Sequence, residues 1–200
     1  MKTILCYGDS NTYGAVPLDF DLFEKPFVSS LYRLPREKRW TGIFQSELGN
    51  DYYVIEEGLN GRTTVWDDPI EGTYKNGLKY LLPCLESHAP IDLVILMLGT
   101  NDLKIKFSVS ALDIAMSIGV LVDTIQKSGF GPDGGKPKIL ILCPPPLGEL
   151  SHLEDLFGKE GIKKSKDFAK YYKKVAKLYN CSFLDVATII KSSDKDGVHY

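Results

Sequence analysis

The 200-residue chain has no marked excess of charge of either sign, since 24 lysines and arginines face 26 aspartates and glutamates for a net charge of -2. Such a balance gives no broad attraction for nucleic acid or for an anionic membrane, so neither is predicted as a partner. The chain also lacks an apolar run long enough to span a bilayer, and the run behind the first methionine ends at Gly8. We therefore expect a soluble, cytoplasmic protein.

Cysteine and histidine are both sparse. The four cysteines lie far apart without a C-x-x-C pair, which is typical of small core residues in a reducing compartment. The three histidines, at positions 88, 152 and 199, have no paired spacing, so neither a metal site nor a cofactor is predicted. A nucleotide-binding function is disfavoured because no G-x-G-x-x-G follows the first apolar run and G-x-x-x-x-G-K-[ST] is missing.

Short apolar runs alternate along the chain with segments of helical periodicity. The apolar runs predict strands over residues 4–7, 52–58, 90–98, 138–143 and 181–185. The periodic segments predict helices over residues 39–48, 74–88, 110–127 and 154–179. This alternation predicts the α/β class, as a three-layer α/β/α, flavodoxin-like fold in which a five-stranded parallel sheet carries helices on both faces. The length fits a single domain over residues 1–200.

Helical spacing also assigns residues that should face the core. They are Leu78, Leu81, Leu82 and Leu85 in the second helix, Leu112, Ala115, Ile118, Gly119, Val122 and Ile125 in the third, and Phe168, Tyr171, Tyr172, Val175 and Leu178 in the fourth. Residues 16–38 instead combine three prolines with several aromatics and show no period. A loop of this length is predicted to be a lid, a pocket wall or a subunit contact.

Polar residues stand where the predicted strands end, which is the edge at which parallel sheets bind ligands. Ser10 occupies a strand-to-helix corner, where it could expose a nucleophilic hydroxyl or only cap the helix, and this turn alone favours neither. Gly61 could let a substrate approach the backbone, or it could supply a positive φ for a turn. Asn101 follows the third strand, and Asp196 with His199 follows the fifth.

The blocks 8–10, 61, 99–102 and 196–199 resemble the four signature blocks of the SGNH (GDSL-type) hydrolases, in that family's order. Residues 55–59, 62–64, 67–69, 97–102 and 144–147 are similar to its bacterial arylesterase and acyltransferase (perhydrolase) branch. The resemblance implies a serine esterase that cleaves small acyl or aryl esters, with acyl transfer to an alcohol or peroxide as a further activity. A non-catalytic module that binds a small ligand on the same fold is the alternative.

The resemblance also implies a role for each residue of the blocks. Ser10 would attack the ester, His199 would move the proton, and Asp196 would orient the imidazole. The oxyanion donors would be the backbone N–H groups of Ser10 and Gly61 and the side-chain amide of Asn101. Of the other histidines, His88 at the end of the second predicted helix is expected to interact with the last carbonyl groups of that helix. His152 is the competitor of His199 for the role of the base.

Several expectations concern the surroundings of this site. Asn11, where the family usually has an apolar residue, and Trp66 are candidates for substrate binding. The loop at 16–38 could join the chain into a homo-oligomer, as in the arylesterase branch. The chain ends at Tyr200, where the family continues into a final helix, so we expect either further residues or a frayed end at His199.

Overall fold

The computed structural model describes residues 1–18 and 32–200. Five parallel strands form one sheet in the order β2-β1-β3-β4-β5. The strands are β1 (Lys2–Gly8), β2 (Tyr52–Gly58), β3 (Leu93–Met97), β4 (Lys138–Cys143) and β5 (Ser182–Asp185). The predicted sheet is confirmed, and the loop predicted at 16–38 falls mostly on residues 19–31, outside the described part.

Helices cover both faces of the sheet, as predicted. They are α1 (Ser10–Tyr13), α2 (Trp40–Leu48), α3 (Gly77–His88), α4 (Ala111–Lys127), α5 (Glu154–Ser165) and α6 (Phe168–Leu178). Trp40, Phe44 and Leu48 of α2 pack on one face, against Ile4 and Ile95. The larger cluster on the other face includes apolar residues of α3, α4 and α6. Because both faces are covered, the central strands are continuous apolar runs rather than alternating ones.

The prediction of one helix over residues 154–179 is wrong. The structure has two helices there: α5 ends at Ser165, and α6 begins at Phe168. The Ser165 hydroxyl donates to the carbonyl of Ile162 at 2.7 Å and accepts from the amide of Leu147 at 3.0 Å. These bonds tie the end of α5 to the segment behind β4, so the chain turns there instead of continuing as one helix.

Three leucines predicted to face the core are exposed instead. The exposed fractions are 46% for Leu82, 49% for Leu112 and 69% for Leu178. Leu81, next to Leu82, is fully buried, because neighbouring residues on a helix point about 100° apart. The apolar stripe in the sequence is therefore wider than the helix face that reaches the sheet.

The helix starts follow their caps. The helix predicted from residue 74 begins at Gly77, because the Asn76 side chain accepts from the amides of Leu78 and Lys79. In α4, Ser110 and Asp113 form a capping box. Across residues 1–18 and 32–200, none of the helices has the length and apolar composition needed to cross a bilayer.

Candidate active site

The corner after β1 shows which residue caps α1, the role that the sequence left open for Ser10. The cap of α1 is Asp9, whose carboxylate accepts from the amide of Asn11 at 3.0 Å. Ser10 is the first residue of the helix, and its hydroxyl lies 2.9 Å from Nε2 of His199. The interpretation of Ser10 as only a helix cap is therefore wrong. As an early residue of the helix, it also has a backbone N–H without an acceptor inside the helix.

His199 stands between Ser10 and Asp196. Its Nδ1 lies 2.8 Å from Oδ2 of Asp196, while the other carboxylate oxygen accepts from the amides of Val198 and His199, each at 2.9 Å. Burial alone would raise the pKa of Asp196, but the hydrogen bonds from the His199 ring and the two amides outweigh it and lower the pKa below 3.8. The carboxylate is therefore ionised beside the imidazole at neutral pH.

The end of the chain is held in place. The carbonyl of His199 accepts from the amide of Ser193 at 2.7 Å. The hydroxyl of Tyr200 donates to the sulfur of Met97 at 3.1 Å, and the carbonyl of Gly197 accepts from the amide of Gly148 at 2.8 Å. These contacts fix the residues on both sides of the His199 ring, so the fraying expected there is not seen.

Asn101 and the turn at Gly61 lie next to each other. Gly61 has a φ of +75°, in a turn that the amide of Arg62 closes on the carbonyl of Leu59 at 3.1 Å. The prediction that glycine supplies a positive φ here is confirmed. The buried side-chain amide of Asn101 donates to the carbonyl of Arg62 at 3.1 Å. A side-chain amide has two N–H groups, so the second one remains for another acceptor.

Arg62 connects this turn to the first two strands. The side chain is buried, and it donates to the carbonyl of Gly8 at 2.9 Å and to the carbonyl of Glu57. Its guanidinium lies 4.2 Å from the centroid of the Tyr7 ring. The turn that carries Gly61 is therefore bound to the strand end that leads into Ser10.

A network of buried charges beside Gly61 was not predicted. Lys104 Nζ lies 2.5 Å from a carboxylate oxygen of Glu71, and Lys106 Nζ lies 3.2 Å from the same oxygen and 2.5 Å from Asp68. A Cβ added to Gly61 would come within 2.5 Å of the other Glu71 oxygen. The ion pair of Glu71 and Lys104 therefore spans the loops that carry Gly61 and Asn101.

A second link between the same two loops is the contact of Asp102 with Thr64. The fully buried carboxyl of Asp102 meets the amide of Thr64 at 3.0 Å and also its hydroxyl. Burial raises the pKa of Asp102 to about 7, against the effect of these hydrogen bonds. Burial likewise raises the pKa of Asp9 to about 6. The sequence could indicate Asp102 only as part of its block, because Thr64 lies 38 residues away.

The two candidates for substrate binding differ in their placement. Asn11 is buried, and its side-chain amide reaches the carbonyl of Val198 at 3.4 Å, which links the Ser10 corner to the His199 loop. Trp66 is half-buried, and its carbonyl accepts from the Thr63 hydroxyl at 2.5 Å. None of the hydrogen bonds among the described residues joins Trp66 to Ser10, Asn101 or His199.

The remaining histidines have other neighbours. Nε2 of His88 lies 3.0 Å from a carboxylate oxygen of Glu57, so the ring pairs with a strand residue. Nδ1 of His152 lies 2.9 Å from the hydroxyl of Ser151, which itself donates to the carbonyl of Lys195 at 2.8 Å. Of the three histidines, His199 is the one that the structure brings to Ser10.

The model of the GDSL-like lipase/acylhydrolase family matches residues 6–200, nearly the whole chain. The chain belongs to this family. Among solved structures, the GDSL-like hydrolase is similar to the native aryl esterase of M. smegmatis, with 40% identity, a TM-score of 0.90 and coverage of 100% of this chain and 91% of that one. No curated protein matches the chain.

Two further structures support the same assignment. Est24, a carbohydrate acetylesterase from Sinorhizobium meliloti, has 39% identity and a TM-score of 0.90, and the match covers 100% of this chain and 90% of that one. A putative arylesterase from Agrobacterium tumefaciens str. C58 has 35% identity and a TM-score of 0.84, with the same coverage. The chain is a carboxylic ester hydrolase of the GDSL-like family, in its SGNH arylesterase branch.

Proposed function

We propose that this chain hydrolyses small carboxylic esters through an acyl-enzyme on Ser10. The observation that carries the proposal is the continuous chain of short contacts from Ser10 Oγ through both ring nitrogens of His199 to Asp196, at 2.9 and 2.8 Å. This is the order that nucleophilic catalysis by a serine needs: nucleophile, base and a group that orients the base.

The proton steps follow from these contacts. As Ser10 Oγ attacks the ester carbonyl, Nε2 of His199 takes the hydroxyl proton and then gives it to the leaving alcohol or phenol. Water, activated by the same nitrogen, cleaves the acyl-enzyme and regenerates Ser10. Asp196 accepts the Nδ1–H of the ring throughout, which fixes the tautomer and stabilises the imidazolium.

The tetrahedral intermediate needs donors for its oxyanion. We assign this role to the backbone N–H groups of Ser10 and Gly61 and to the N–H of Asn101 that does not bond Arg62. The N–H of Ser10 is one of the donors at the start of α1 that have no acceptor inside the helix, so it can bond the oxyanion. The three donors come from the ends of β1, β2 and β3, which are neighbours in the sheet.

The names of the similar structures suggest the substrate class. One is an aryl esterase and another is a carbohydrate acetylesterase, so we propose short acyl groups on a phenol or on a sugar hydroxyl. Acyl transfer to an alcohol or peroxide in place of water remains part of the proposal, as does substrate binding by Asn11 and Trp66. A cytoplasmic location, a single domain over residues 1–200 and assembly into a homo-oligomer are also proposed.

The test is turnover of p-nitrophenyl acetate with and without a serine-directed phosphonate, followed by mass spectrometry of the labelled peptide. We expect inhibition in step with labelling, and the label on Ser10. Ser10→Ala is the matched variant, which should show neither label nor turnover. Label on another residue, or full turnover by Ser10→Ala, would overturn the proposal.

A further inference from the structure

A second cluster of ionisable side chains lies between β2 and α3 and shares no member with the Ser10 site. Glu57 precedes the last residue of β2, and Cys84 and His88 are four residues apart on α3, so they share one helix face. One potential ligand atom of each residue lies within 4.8 Å of the other two. The carboxylate of Glu57 and Nε2 of His88 are already 3.0 Å apart.

We propose that Glu57, Cys84 and His88 form a binding site for a transition-metal ion of the zinc class. The histidine spacing predicted no metal site, because the residue paired with His88 on the helix is a cysteine and the third residue comes from a strand. The proposal concerns this cluster alone and does not depend on the mechanism at Ser10.

The donor set selects the kind of metal. Thiolate sulfur, imidazole nitrogen and carboxylate oxygen are the ligands of tetrahedral Zn²⁺, and three of them leave the fourth position for water. Mg²⁺ and Ca²⁺ are excluded because they take oxygen ligands. Bonds of about 2.0–2.3 Å place two ligands of one tetrahedral ion roughly 3.3–3.7 Å apart. The three ligand atoms lie within 4.8 Å of one another, so binding draws them together by at most about 1 Å, while the 3.0 Å contact of Glu57 and His88 lengthens to admit the ion.

The cluster is open to solvent on one side. The side chains of Glu57 and His88 are 20% and 29% exposed, while Cys84 is fully buried against the core. An ion could enter past the carboxylate and the imidazole and meet the sulfur from outside. Without an ion, burial and the nearby Glu57 raise the pKa of the Cys84 thiol to about 12, so the sulfur is not a nucleophile at neutral pH.

The charges around the cluster permit a divalent ion. Arg62 is a nearby cation, because its guanidinium donates to the carbonyl of Glu57 and its charge acts on the Cys84 thiol. The carboxylate and a thiolate together neutralise both charges of the ion. The filled site is therefore neutral, and Arg62 opposes it little. Displacement of the thiol proton is part of binding, as at other cysteine sites.

A bound ion would join the end of β2 to α3, through residues 31 positions apart in the chain. The cluster is close to the turn at Gly61, because the carbonyl of Glu57 accepts from Arg62. Since a metal that binds the folded chain and not the unfolded one stabilises the fold, we expect Zn²⁺ at this site to stabilise the chain. Its signature should be a metal-dependent Tm rather than a new activity.

The experiment uses the full chain, freed of metal with EDTA and then titrated with Zn²⁺ by calorimetry and with Co²⁺ by absorbance. We expect one equivalent of each metal to bind, and Co²⁺ to give a thiolate-to-metal charge-transfer band in the near ultraviolet. Zn²⁺ should also raise the Tm. His88→Gln should weaken binding by more than about 100-fold, because a direct ligand contributes more than an outer-shell partner.

Two cysteine variants complete the test. Cys84→Ser should abolish the charge-transfer band, whereas Cys181→Ser, at a half-buried cysteine beside β5, should keep the band and the stoichiometry. His88→Gln decides the question if Cys84→Ser fails to fold, because the His88 side chain is partly exposed. Absence of binding to the parent chain, or unchanged binding by His88→Gln, would overturn the proposal.

Discussion

His199 and His88 are each paired with a carboxylate at nearly the same distance, 2.8 Å to Asp196 and 3.0 Å to Glu57. The third residue beside each pair differs. His199 meets the hydroxyl of Ser10 at the start of a helix, whereas His88 lies near the thiol of Cys84 on the covered side of another helix. A histidine and a carboxylate in contact therefore do not define a catalytic site.

The surroundings of the two pairs differ as well. Asp196 accepts hydrogen bonds from two backbone amides besides the imidazole. Asn101 and Gly61 follow the ends of neighbouring strands. These groups include the donors that we propose for the oxyanion. The pair of His88 and Glu57 has instead the buried thiol of Cys84 as its third member.

The largest expected effect comes from removing the base. His199→Ala should lower kcat for p-nitrophenyl acetate by about 10⁴- to 10⁶-fold, because neither proton step at Ser10 then has a base. His152→Ala is the matched control for the other candidate base, and kcat should stay within a few-fold of the parent. Steady-state assays with protein concentrations fixed by absorbance measure both. A comparable loss in His152→Ala would break the contrast between the histidines.

The next effect concerns the donors around Ser10. Asn101→Ala should lower kcat by roughly 10²- to 10³-fold with a smaller change in KM, because the amide bonds the oxyanion more strongly than the ester carbonyl. The same change removes the contact with the carbonyl of Arg62, so the Tm must be measured beside the kinetics. An unchanged kcat in a folded variant would remove Asn101 from the oxyanion site.

A smaller effect is expected from the ion pair beside Gly61. Glu71→Gln leaves the buried ammonium of Lys104 without its counter-charge, so the free energy of unfolding should fall by about 3 kcal/mol. We also expect kcat to fall several-fold, because the loops of Gly61 and Asn101 lose a link. Urea unfolding and steady-state kinetics check this, with Glu86→Gln at an exposed position as the control. Equal stability of the two variants would show that the ion pair contributes nothing.

The sequence predicts the parts of this molecule whose cause is local. Continuous apolar runs predict the five strands, and the last block contains His199, which lies against Ser10, and its partner Asp196. The exposure of Leu82, Leu112 and Leu178 depends instead on which part of each apolar stripe reaches the sheet.

The missed contacts have a different cause, which is distance along the chain. The contact between Glu71 and Lys104 joins residues 33 positions apart, and that between Glu57 and His88 joins residues 31 apart. Neither pair has a spacing pattern in the sequence. Such pairs become visible only when the fold brings the ends of neighbouring strands and their loops together.

The last contrast is between two buried carboxyls of the site, Asp196 and Asp102, which differ in their partners. His199 helps to keep the pKa of Asp196 low, whereas burial raises the pKa of Asp102, beside Thr64, to about 7. Between the ordinary value of 3.8 and about 7, the folded chain thus holds a proton at Asp102 that the unfolded chain releases. The free energy of unfolding should therefore fall as pH rises through this window, by at most about 1.4 kcal/mol per pH unit for this group.

Asp102→Asn tests this, because the amide imitates the protonated acid and removes the titration. Urea unfolding should be measured between about pH 4.5 and 8, a range that brackets the raised pKa. The free energy of unfolding should depend less on pH in Asp102→Asn than in the parent. Asp9, with its pKa raised to about 6, should leave a residual slope of the same sign. Asp155→Asn, at an exposed position in α5, should keep the slope of the parent. An equal slope in Asp102→Asn would mean that Asp102 is ionised in the folded chain, as Asp196 is.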